Sequence, residues 1–186
     1  MEVKIPSYFY QPEEDSYLIS ECVKLYIDKL KNKNIKTLDL GTGSGFQSKN
    51  LINLGIKREN ITASDINNYA IKEAGKLKIN VIKSDLFGKL KSKFDLIIFN
   101  PPYLPENDYD KEKDTTGGKK GDEIIVSFIK DLKKHLNKNG VCFLLTSSLT
   151  PNTWKKEIKK QKLKIKKIKT KNIFFERLYI WEIRQE

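Results

Sequence analysis

The sequence predicts an α/β fold in which a mostly parallel sheet carries helices on both faces and ends in an antiparallel hairpin. Short apolar runs alternate along the chain with segments of helical period, an order typical of a parallel sheet covered on both sides. One run, Phe94–Phe99, is continuous rather than alternating, as expected of a strand buried on both faces. No convincing helix separates the last two predicted strands, so they can pair as an antiparallel hairpin at one edge.

The elements follow one another in a regular order. Apolar residues recur at helical spacing between Glu14 and Leu30, which predicts the first helix. Runs rich in apolar and β-branched residues predict seven strands, at residues 35–40, 60–66, 79–87, 94–99, 140–148, 163–169 and 177–183. Segments with apolar residues three or four positions apart predict further helices, one starting at residue 47 and the others at residues 70–76, 123–136 and 154–160.

Length and composition favour one soluble domain. A chain of 186 residues can form a sizeable core, and we expect a single domain over residues 1–186, with an N-terminal helical extension (1–33) and a sheet-based core (34–186). No apolar stretch approaches the roughly 20 residues that a membrane span requires. The N-terminal segment also lacks the apolar core of a secretion signal. A cytoplasmic protein is therefore expected.

Cysteine and histidine are too scarce to suggest a metal site or a histidine-based catalytic triad. Cys22 and Cys142 are too far apart in sequence to indicate a disulfide framework or a zinc site. His135 is the only histidine, and it lies near the end of a predicted helix, where a cation suits the helix dipole. A structural role is expected for all three residues, and no metal is expected.

The net charge of +12 is concentrated near the C-terminus. The segment from Lys155 to Lys171 holds ten lysines and one glutamate, so it contributes +9 and leaves +3 for the rest of the chain. A basic band of this kind can follow an anionic partner such as ribosomal RNA or tRNA. Leu163 and Ile165 alternate with lysines, however, and such lysines also protect an exposed sheet edge from unwanted pairing. The sequence leaves both interpretations open.

A glycine loop follows the first predicted strand. Gly41, Gly43 and Gly45 allow tight turns and a close approach of the backbone to a ligand. Their spacing is G-x-G-x-G, whereas a dinucleotide fingerprint requires G-x-G-x-x-G, and Phe46 occupies the place of its third glycine. No G-K-[ST] follows, which excludes a phosphate-binding P-loop. The loop thus predicts a nucleotide-like ligand that carries no pyrophosphate.

Acidic residues stand at three successive strand ends, where ligands bind in sheets of this kind. Asp39 precedes the glycines, Asp65 ends the second predicted strand, and Asp85 ends the third. Asp65 could accept both hydroxyls of a ribose, and Asp85 could accept from an adenine amino group beside the Leu86 backbone. Each aspartate alone could be an ordinary turn residue. Together they suit a cationic ligand, and S-adenosylmethionine, with its ammonium and sulfonium groups, fits them.

The fourth predicted strand runs directly into Asn100, Pro101, Pro102 and Tyr103. Neither proline can extend the hydrogen-bond ladder, because each lacks an N–H and has a fixed φ. Asn100 is therefore expected at the strand's end on a stiffened backbone. A simple proline turn would explain these residues in isolation, so the residues upstream decide between a turn and a functional site.

These motifs together resemble a known enzyme class. "DLGTGSG", "SDI", "SDLF" and "NPPY", between Asp39 and Tyr103, are similar to the motifs of class I S-adenosylmethionine-dependent methyltransferases of the N-P-P-Y type. The resemblance implies a Rossmann-like fold. It also implies methyl transfer to a nitrogen on sp² carbon, which is an amino group of adenine, cytosine or guanine, or the side-chain amide of glutamine.

Two further segments narrow the resemblance to one family. "YQPEEDSYLI", from Tyr10 to Ile19, resembles the opening of the archaeal and eukaryotic branch of the HemK family. "TGGKKGDEI", from Thr116 to Ile124, resembles that family's glycine-rich segment. The resemblance implies a glutamine N5-methyltransferase that acts on the GGQ motif of class I release factors. It also implies a small zinc-binding activator subunit that covers an exposed sheet edge.

The resemblance also assigns roles to individual residues, and it implies that Asn100, Pro101, Pro102 and Tyr103 form the catalytic group. The implied cofactor contacts are Ser16, Asp39, Gly41, Asp65, Asp85, Leu86 and Asn100, with Gly43 in the same glycine loop. Three alternatives stay open at this point: a nucleic-acid amino methyltransferase using the basic band, a protein-lysine methyltransferase, and an inactive cofactor-binding scaffold. We expect no extra domain that could flip a base, a tetrahedral ammonium fits a planar amide clamp poorly, and an intact N-P-P-Y motif argues against inactivity.

Overall fold

The computed structural model describes residues 10–102 and 121–186. The strands are β1 (Thr37–Leu40), β2 (Ile61–Asp65), β3 (Asn80–Lys83), β4 (Phe94–Phe99), β5 (Leu136–Ser147), β6 (Leu163–Asn172) and β7 (Arg177–Gln185). The helices are α1 (Glu14–Asp28), α2 (Phe46–Asn53), α3 (Asn68–Gly75), α4 (Glu123–His135) and α5 (Trp154–Lys160). Every element predicted from the sequence is present.

The strands form one seven-stranded sheet in the order β3-β2-β1-β4-β5-β7-β6. β1 to β5 pair in parallel, whereas β7 pairs antiparallel with both β5 and β6. The Rossmann-like, mostly parallel sheet with an antiparallel edge hairpin is confirmed. The order of the strands reverses between β1 and β4, and the carboxyl ends of these two strands are the place where such sheets bind ligands.

Both faces of the sheet are buried, which explains why the sequence of β4 is continuously apolar. Ile97 and Phe99 pack with α4 and α5 on one face, whereas Leu96 and Ile98 pack with α1 on the other. All four side chains are at most 2% exposed. Burial on two faces, rather than one, removes the alternation of polar and apolar residues.

α1 forms part of this layered core. Leu18, Ile19, Val23 and Ile27 on α1 are almost fully buried, in the same cluster as the side chains of β4, β5 and β7. Its apolar face therefore lies directly on the sheet, and its first turn lies beside the carboxyl ends of the strands.

The two largest differences between predicted and observed strand boundaries are at β3 and β5. β3 ends at Lys83 instead of residue 87, because the Ser84 hydroxyl donates to the Leu86 carbonyl oxygen and accepts from the Lys89 N–H, which closes a turn. β5 begins at Leu136 instead of residue 140, because Leu136 pairs with Phe94 before a register shift in the ladder.

Cysteine and histidine occupy structural positions in the fold. Cys22 and Cys142 are free and buried, and burial raises the pKa of the Cys22 thiol to about 11. His135 is the last residue of α4, where its ring stacks on Phe87 and its Nδ1 lies 3.1 Å from the Ser92 carbonyl oxygen. Within the described residues, no helix is both long and apolar enough to cross a membrane.

Candidate active site

The glycine loop turns tightly after β1. Gly41 and Gly43 adopt φ values of +65° and +52°, a left-handed conformation that favours glycine. A Cβ atom at Gly41 would lie 3.6 Å from the Phe99 ring. The Thr42 N–H donates to the Ser64 carbonyl oxygen at 3.0 Å, which fixes the loop against the end of β2. The loop therefore connects β1 to α2 at the carboxyl ends of the strands, where sheets of this kind bind ligands.

Asp39 is a buried carboxylate beneath this loop. Its Oδ2 accepts from the Thr42 hydroxyl at 2.6 Å, the Ser48 hydroxyl at 2.7 Å and the Ser48 N–H at 3.0 Å. Burial raises the pKa of the Asp39 carboxyl, and the hydrogen bonds from Thr42 and Ser48 oppose that rise. One oxygen of Asp39 thus ties the loop to the first turn of α2. Its predicted contact with a ligand ammonium stays a prediction.

Asp65 joins three of the predicted site segments. Its Oδ2 accepts from the Gly43 N–H at 2.9 Å, and its Oδ1 accepts from the Asn67 N–H at 2.9 Å. The Asp65 carbonyl oxygen accepts from the Ser84 N–H at the end of β3. The glycine loop, the end of β2 and the turn after β3 are therefore adjacent, as the sequence predicts.

The turn after β3 presents Asp85 and Leu86. Asp85 is exposed, whereas Leu86 has a φ of +42°, which is uncommon for a residue with a side chain. This conformation costs about 1–2 kcal/mol, and the hydrogen bond from the Ser84 hydroxyl to the Leu86 carbonyl oxygen holds it in place. The contact of Asp85 and Leu86 with a ligand stays a prediction.

Asn100 lies at the carboxyl end of β4, and the two polar atoms of its side chain differ in their hydrogen bonding. Its Nδ2 donates to Oδ2 of Asp15 at 3.1 Å. Its Oδ1 is buried and has no hydrogen-bond partner in the described part of the chain. A buried acceptor without a donor is costly, so each such atom in a native protein requires an explanation. A ligand that donates an N–H to this oxygen would explain it.

The first turn of α1 is fixed beside Asn100 and the glycine loop. Asp15 is 5% exposed, and its Oδ1 accepts from the Tyr10 hydroxyl at 2.6 Å and from the Ser16 N–H. Gln47 of α2 donates through Nε2 to the Ser16 carbonyl oxygen at 2.9 Å and accepts from the Ser20 hydroxyl at 2.8 Å. Helix α1 therefore brings Ser16, a predicted cofactor contact, to the same site.

Sequence reasoning missed Asp15 and Gln47. The signal for Asp15 was available, because this residue directly precedes Ser16 within the motif that identified the family. No signal marks Gln47, since a glutamine in the first turn of a helix is usually a surface residue.

Part of the predicted catalytic group is outside the described residues. Pro101 is buried and Pro102 is half-buried, but Tyr103 and residues 116–120 of the glycine-rich segment are not described. Beyond the gap, Oδ2 of Asp122 accepts from the Thr153 hydroxyl at 2.6 Å and from its N–H at 3.0 Å. This contact joins the start of α4 to the start of α5.

The lysine-rich segment forms most of α5 and most of the edge strand β6. Lys169 and Lys171 form ion pairs with Glu21 and Glu14 of α1. On the other face of the sheet, cation–π contacts place Lys155 4.6 Å from the Trp181 ring centroid and Lys167 4.6 Å from the Tyr179 ring centroid. At least four of the ten lysines therefore have specific partners within the protein.

Known proteins share this sequence pattern. A family model described as the methyltransferase small domain matches residues 19–174. A Methanocaldococcus jannaschii protein, provisionally named a protein N5-glutamine methyltransferase, is 39% identical over 162 residues, covering 81% of this chain and 78% of that protein. A Schizosaccharomyces pombe protein, named the catalytic subunit of an eRF1 methyltransferase, is 29% identical over 164 residues, covering 73% and 71%.

The chain also resembles part of a longer enzyme and a solved structure. A release factor glutamine methyltransferase of Fusobacterium nucleatum is 40% identical over 102 residues, and the chain covers 28% of that protein. A chain of the E. cuniculi Mtq2–Trm112 complex, which is described as methylating the termination factor eRF1, matches with a TM-score of 0.77 and 24% identity. The match covers 96% of this chain and 99% of that one, and it shows the same methyltransferase fold.

Proposed function

The chain belongs to the methyltransferase small-domain family, within the HemK group of glutamine methyltransferases, and from this premise we propose that it methylates the side-chain amide nitrogen of a release-factor glutamine. The observation that carries the proposal is the buried Oδ1 of Asn100, an acceptor that has no donor among the described residues. A substrate that presents an NH₂ group satisfies this oxygen.

In the proposed mechanism, Asn100 orients the substrate amide by accepting hydrogen bonds from its two N–H groups. An amide nitrogen is a poor nucleophile, because its lone pair is delocalised into the carbonyl group. In the proposed complex, Oδ1 of Asn100 accepts one N–H of the substrate and the Asn100 carbonyl oxygen accepts the other. Two acceptors in fixed directions orient the nitrogen and stabilise the positive charge that grows on it during the reaction. The new N–C bond forms as the S–CH₃ bond breaks, and the positively charged methylated nitrogen then releases its extra proton to water, so no general base of tuned pKa is required.

The neighbouring residues of the N-P-P-Y motif support Asn100. Pro101 and Pro102 restrict the backbone, so the carbonyl group of Asn100 is held in one direction at little cost in entropy. Tyr103 is proposed to place its ring beside the substrate amide or near the sulfonium, where cation–π attraction is favourable.

The site fits S-adenosylmethionine as the methyl donor. A carboxylate-rich edge and a glycine loop without a phosphate-binding lysine suit a cationic, phosphate-free nucleotide, and the strained Leu86 turn presents backbone groups beside it. The residues proposed to hold it are Ser16, Asp39, Gly41, Gly43, Asp65, Asp85, Leu86 and Asn100. When bound, it supplies a methyl group activated by a sulfonium and leaves as S-adenosylhomocysteine.

A class I release factor is the proposed substrate, and its GGQ glutamine is the proposed methyl acceptor. Two of the related proteins are named for methylating release factors. These relatives support a glutamine substrate over a nucleic-acid base. Within the described residues we find no feature that favours a lysine substrate.

A small zinc-binding activator is the proposed partner, and one sheet edge suits it better than the other. The sheet ends at β3 on one side and at β6 on the other. Lysines along β6 oppose pairing with another strand, whereas β3 carries the half-buried apolar residues Val81 and Ile82. We propose that the activator pairs with β3. Hydrogen exchange of the β3 amides should then slow when the activator is added, while exchange in β6 stays unchanged.

A labelling experiment tests the substrate. The protein is incubated with methyl-labelled S-adenosylmethionine, the activator, and a release factor whose GGQ glutamine is intact or replaced by alanine. Label is expected in the intact release factor alone, and mass spectrometry should place the methyl group on that glutamine. Equal labelling of both release factors would remove the glutamine assignment. Label in added RNA instead would support a nucleic-acid methyltransferase.

A further inference from the structure

Asp15 contacts Asn100, the residue proposed to hold the substrate amide, although it lies in the first turn of α1, 85 residues before Asn100. It is the residue that accepts the hydrogen bond from Nδ2 of Asn100, and it is 5% exposed. The proposed methyl transfer gives this buried carboxylate no task of its own.

We propose that Asp15 is a positioning residue that fixes the orientation of the Asn100 amide, so that Oδ1 faces the substrate nitrogen. The inference rests on the proposed function. It adds that the helix before the glycine loop determines whether Asn100 presents an acceptor or a donor to the substrate.

The chemistry of the two groups permits only one orientation. An ionised carboxylate accepts hydrogen bonds and cannot donate them, so the NH₂ group of Asn100 must point toward Asp15. A flipped amide would place two oxygens together in a buried site and would turn an NH₂ group toward the NH₂ group of the substrate. The negative charge of Asp15 also polarises the Asn100 amide, which strengthens Oδ1 as an acceptor.

Asp15 is itself held in place by two donors on its other oxygen. The Tyr10 hydroxyl and the Ser16 N–H both donate to Oδ1, which leaves Oδ2 for Asn100. The hydrogen bonds of Gln47 to Ser16 and Ser20 anchor the same helical turn to α2. The carboxylate is therefore rigid, as a positioning residue must be.

An Asp15→Asn substitution tests the orientation with almost no change in shape. The new amide should keep its oxygen against the Tyr10 hydroxyl and the Ser16 N–H, and so present its NH₂ group to Asn100. Asn100 must then flip and present its own NH₂ group to the substrate. We expect kcat to fall about 10²–10³-fold, as for loss of a preorganised polar group, while the Kd for S-adenosylmethionine changes less than about threefold.

A reciprocal exchange provides the decisive variant. In the double variant Asp15→Asn/Asn100→Asp, the carboxylate at position 100 accepts from the new amide with one oxygen and from the substrate with the other. The net charge of the pair is unchanged. We expect kcat at least about tenfold above that of either single variant, because contacting residues couple strongly. Asn100→Asp alone should be less stable, since two buried carboxylates then face each other.

Glu14→Gln is the matched control. It removes a carboxylate from the same turn of α1, but the partner of Glu14 is Lys171 and not Asn100. This variant should keep wild-type kcat. If Asp15→Asn keeps wild-type kcat, the positioning role is wrong. It is also wrong if the kcat of the double variant does not exceed the kcat of each single variant. A loss confined to cofactor affinity would also overturn it.

A nuclear magnetic resonance measurement tests the positioning role independently of the substrate. One Nδ2 proton of Asn100 should resonate downfield and exchange slowly in the wild type, and both features should disappear in Asp15→Asn. An unchanged Asn100 amide signal would overturn the inference. If the wild type methylates no glutamine but the signal changes as expected, the proposed substrate is wrong while Asp15 still orients Asn100.

Discussion

Asn100 holds a buried oxygen whose hydrogen-bonding capacity is unused among the described residues, and its replacement tests the mechanism directly. We expect Asn100→Ala to lower kcat by about 10²–10³-fold, since one preorganised polar group is lost from the transition state. Cofactor affinity should stay within about threefold of the wild-type value, because the other seven residues proposed to hold the cofactor are unchanged. Single-turnover kinetics and calorimetry measure the two quantities.

Stability must be measured in parallel for this variant. Removing the Asn100 amide leaves Oδ2 of Asp15 without its donor, which costs about 1–3 kcal/mol of unfolding free energy. Asn53→Ala, at an exposed position on α2, serves as the control for a lost asparagine side chain. Wild-type turnover by folded Asn100→Ala would remove this residue from the mechanism.

Asp39 predicts how the stability of the protein depends on pH. Burial raises the pKa of its carboxyl above the ordinary value of 3.8. Between 3.8 and the raised value, the folded chain binds a proton that the unfolded chain has already released. The free energy of unfolding that Asp39 contributes is therefore largest at low pH and declines as pH rises across this window.

The Asp39→Asn variant carries no titrating group at this position, so it isolates the effect. We expect the free energy of unfolding of the wild type, relative to that of Asp39→Asn, to fall as the pH rises from about 4 toward neutrality. Urea unfolding at several pH values measures this difference. A difference that stays constant, or grows with pH, would contradict the raised pKa.

Hydrogen bonds between α1 and α2 add to the packing of α1 on the sheet and fix its first turns beside the site. Gln47 is 6% exposed and bonds both Ser16 and Ser20. We expect Gln47→Ala to lower the free energy of unfolding by about 1–3 kcal/mol, because two hydrogen bonds, to the Ser16 carbonyl oxygen and from the Ser20 hydroxyl, are lost at about 0.5–1.5 kcal/mol each. Cofactor affinity should fall as well, since the same turn carries Ser16.

Lys49→Ala is the control for this contact, because Lys49 is an exposed residue on the same helix. It should change the free energy of unfolding by less than about 0.5 kcal/mol. If Gln47→Ala and Lys49→Ala are equally stable in urea, the hydrogen bonds between the two helices do not hold α1 in place.

Most elements could be predicted from the sequence because their signals are local. The period of α1, the apolar run of β4 and the glycines after β1 each depend on neighbouring residues. The start of β5 could not be predicted, because Asn137 to Gly140 read as a polar turn. The pairing of Leu136 with Phe94 and the bond from Nδ2 of Asn137 to Asp95 at 2.6 Å draw this segment into the sheet.

In the candidate site, too, residues with a local signal could be predicted and a long-range contact could not. Asp65 and Asn100 could be found because each stands at the end of a recognisable strand. The contact of Asp15 with Asn100 joins residues 85 positions apart, and its existence depends on where α1 packs on the sheet. A single sequence predicts that α1 is a helix, but it does not determine which residue of its first turn meets β4.

At the scale of the whole molecule, fewer lysines of the lysine-rich segment are free to bind an anionic partner than the sequence suggests. Ion pairs with α1 partly neutralise Lys169 and Lys171, and aromatic rings take up Lys155 and Lys167. Lysines of β6 thus add contacts with α1 and β7 to the backbone pairing of β6 with β7. Other lysines of the segment are exposed to solvent, including Lys159, Lys160, Lys164 and Lys166.

Binding of RNA by this lysine-rich segment stays a prediction, and the exposed lysines define its test. If they bind phosphates of a single-stranded RNA, the logarithm of affinity should fall linearly with the logarithm of salt concentration. Replacing Lys159, Lys160, Lys164 and Lys166 by glutamine should reduce that slope by about 0.7 for each phosphate that the variant no longer neutralises. Lys169→Gln/Lys171→Gln, which removes two charges already paired with glutamates, should reduce the slope less per lysine replaced. An equal reduction per lysine in the two variants would show that binding follows net charge alone, because the fold then does not select which lysines meet the RNA.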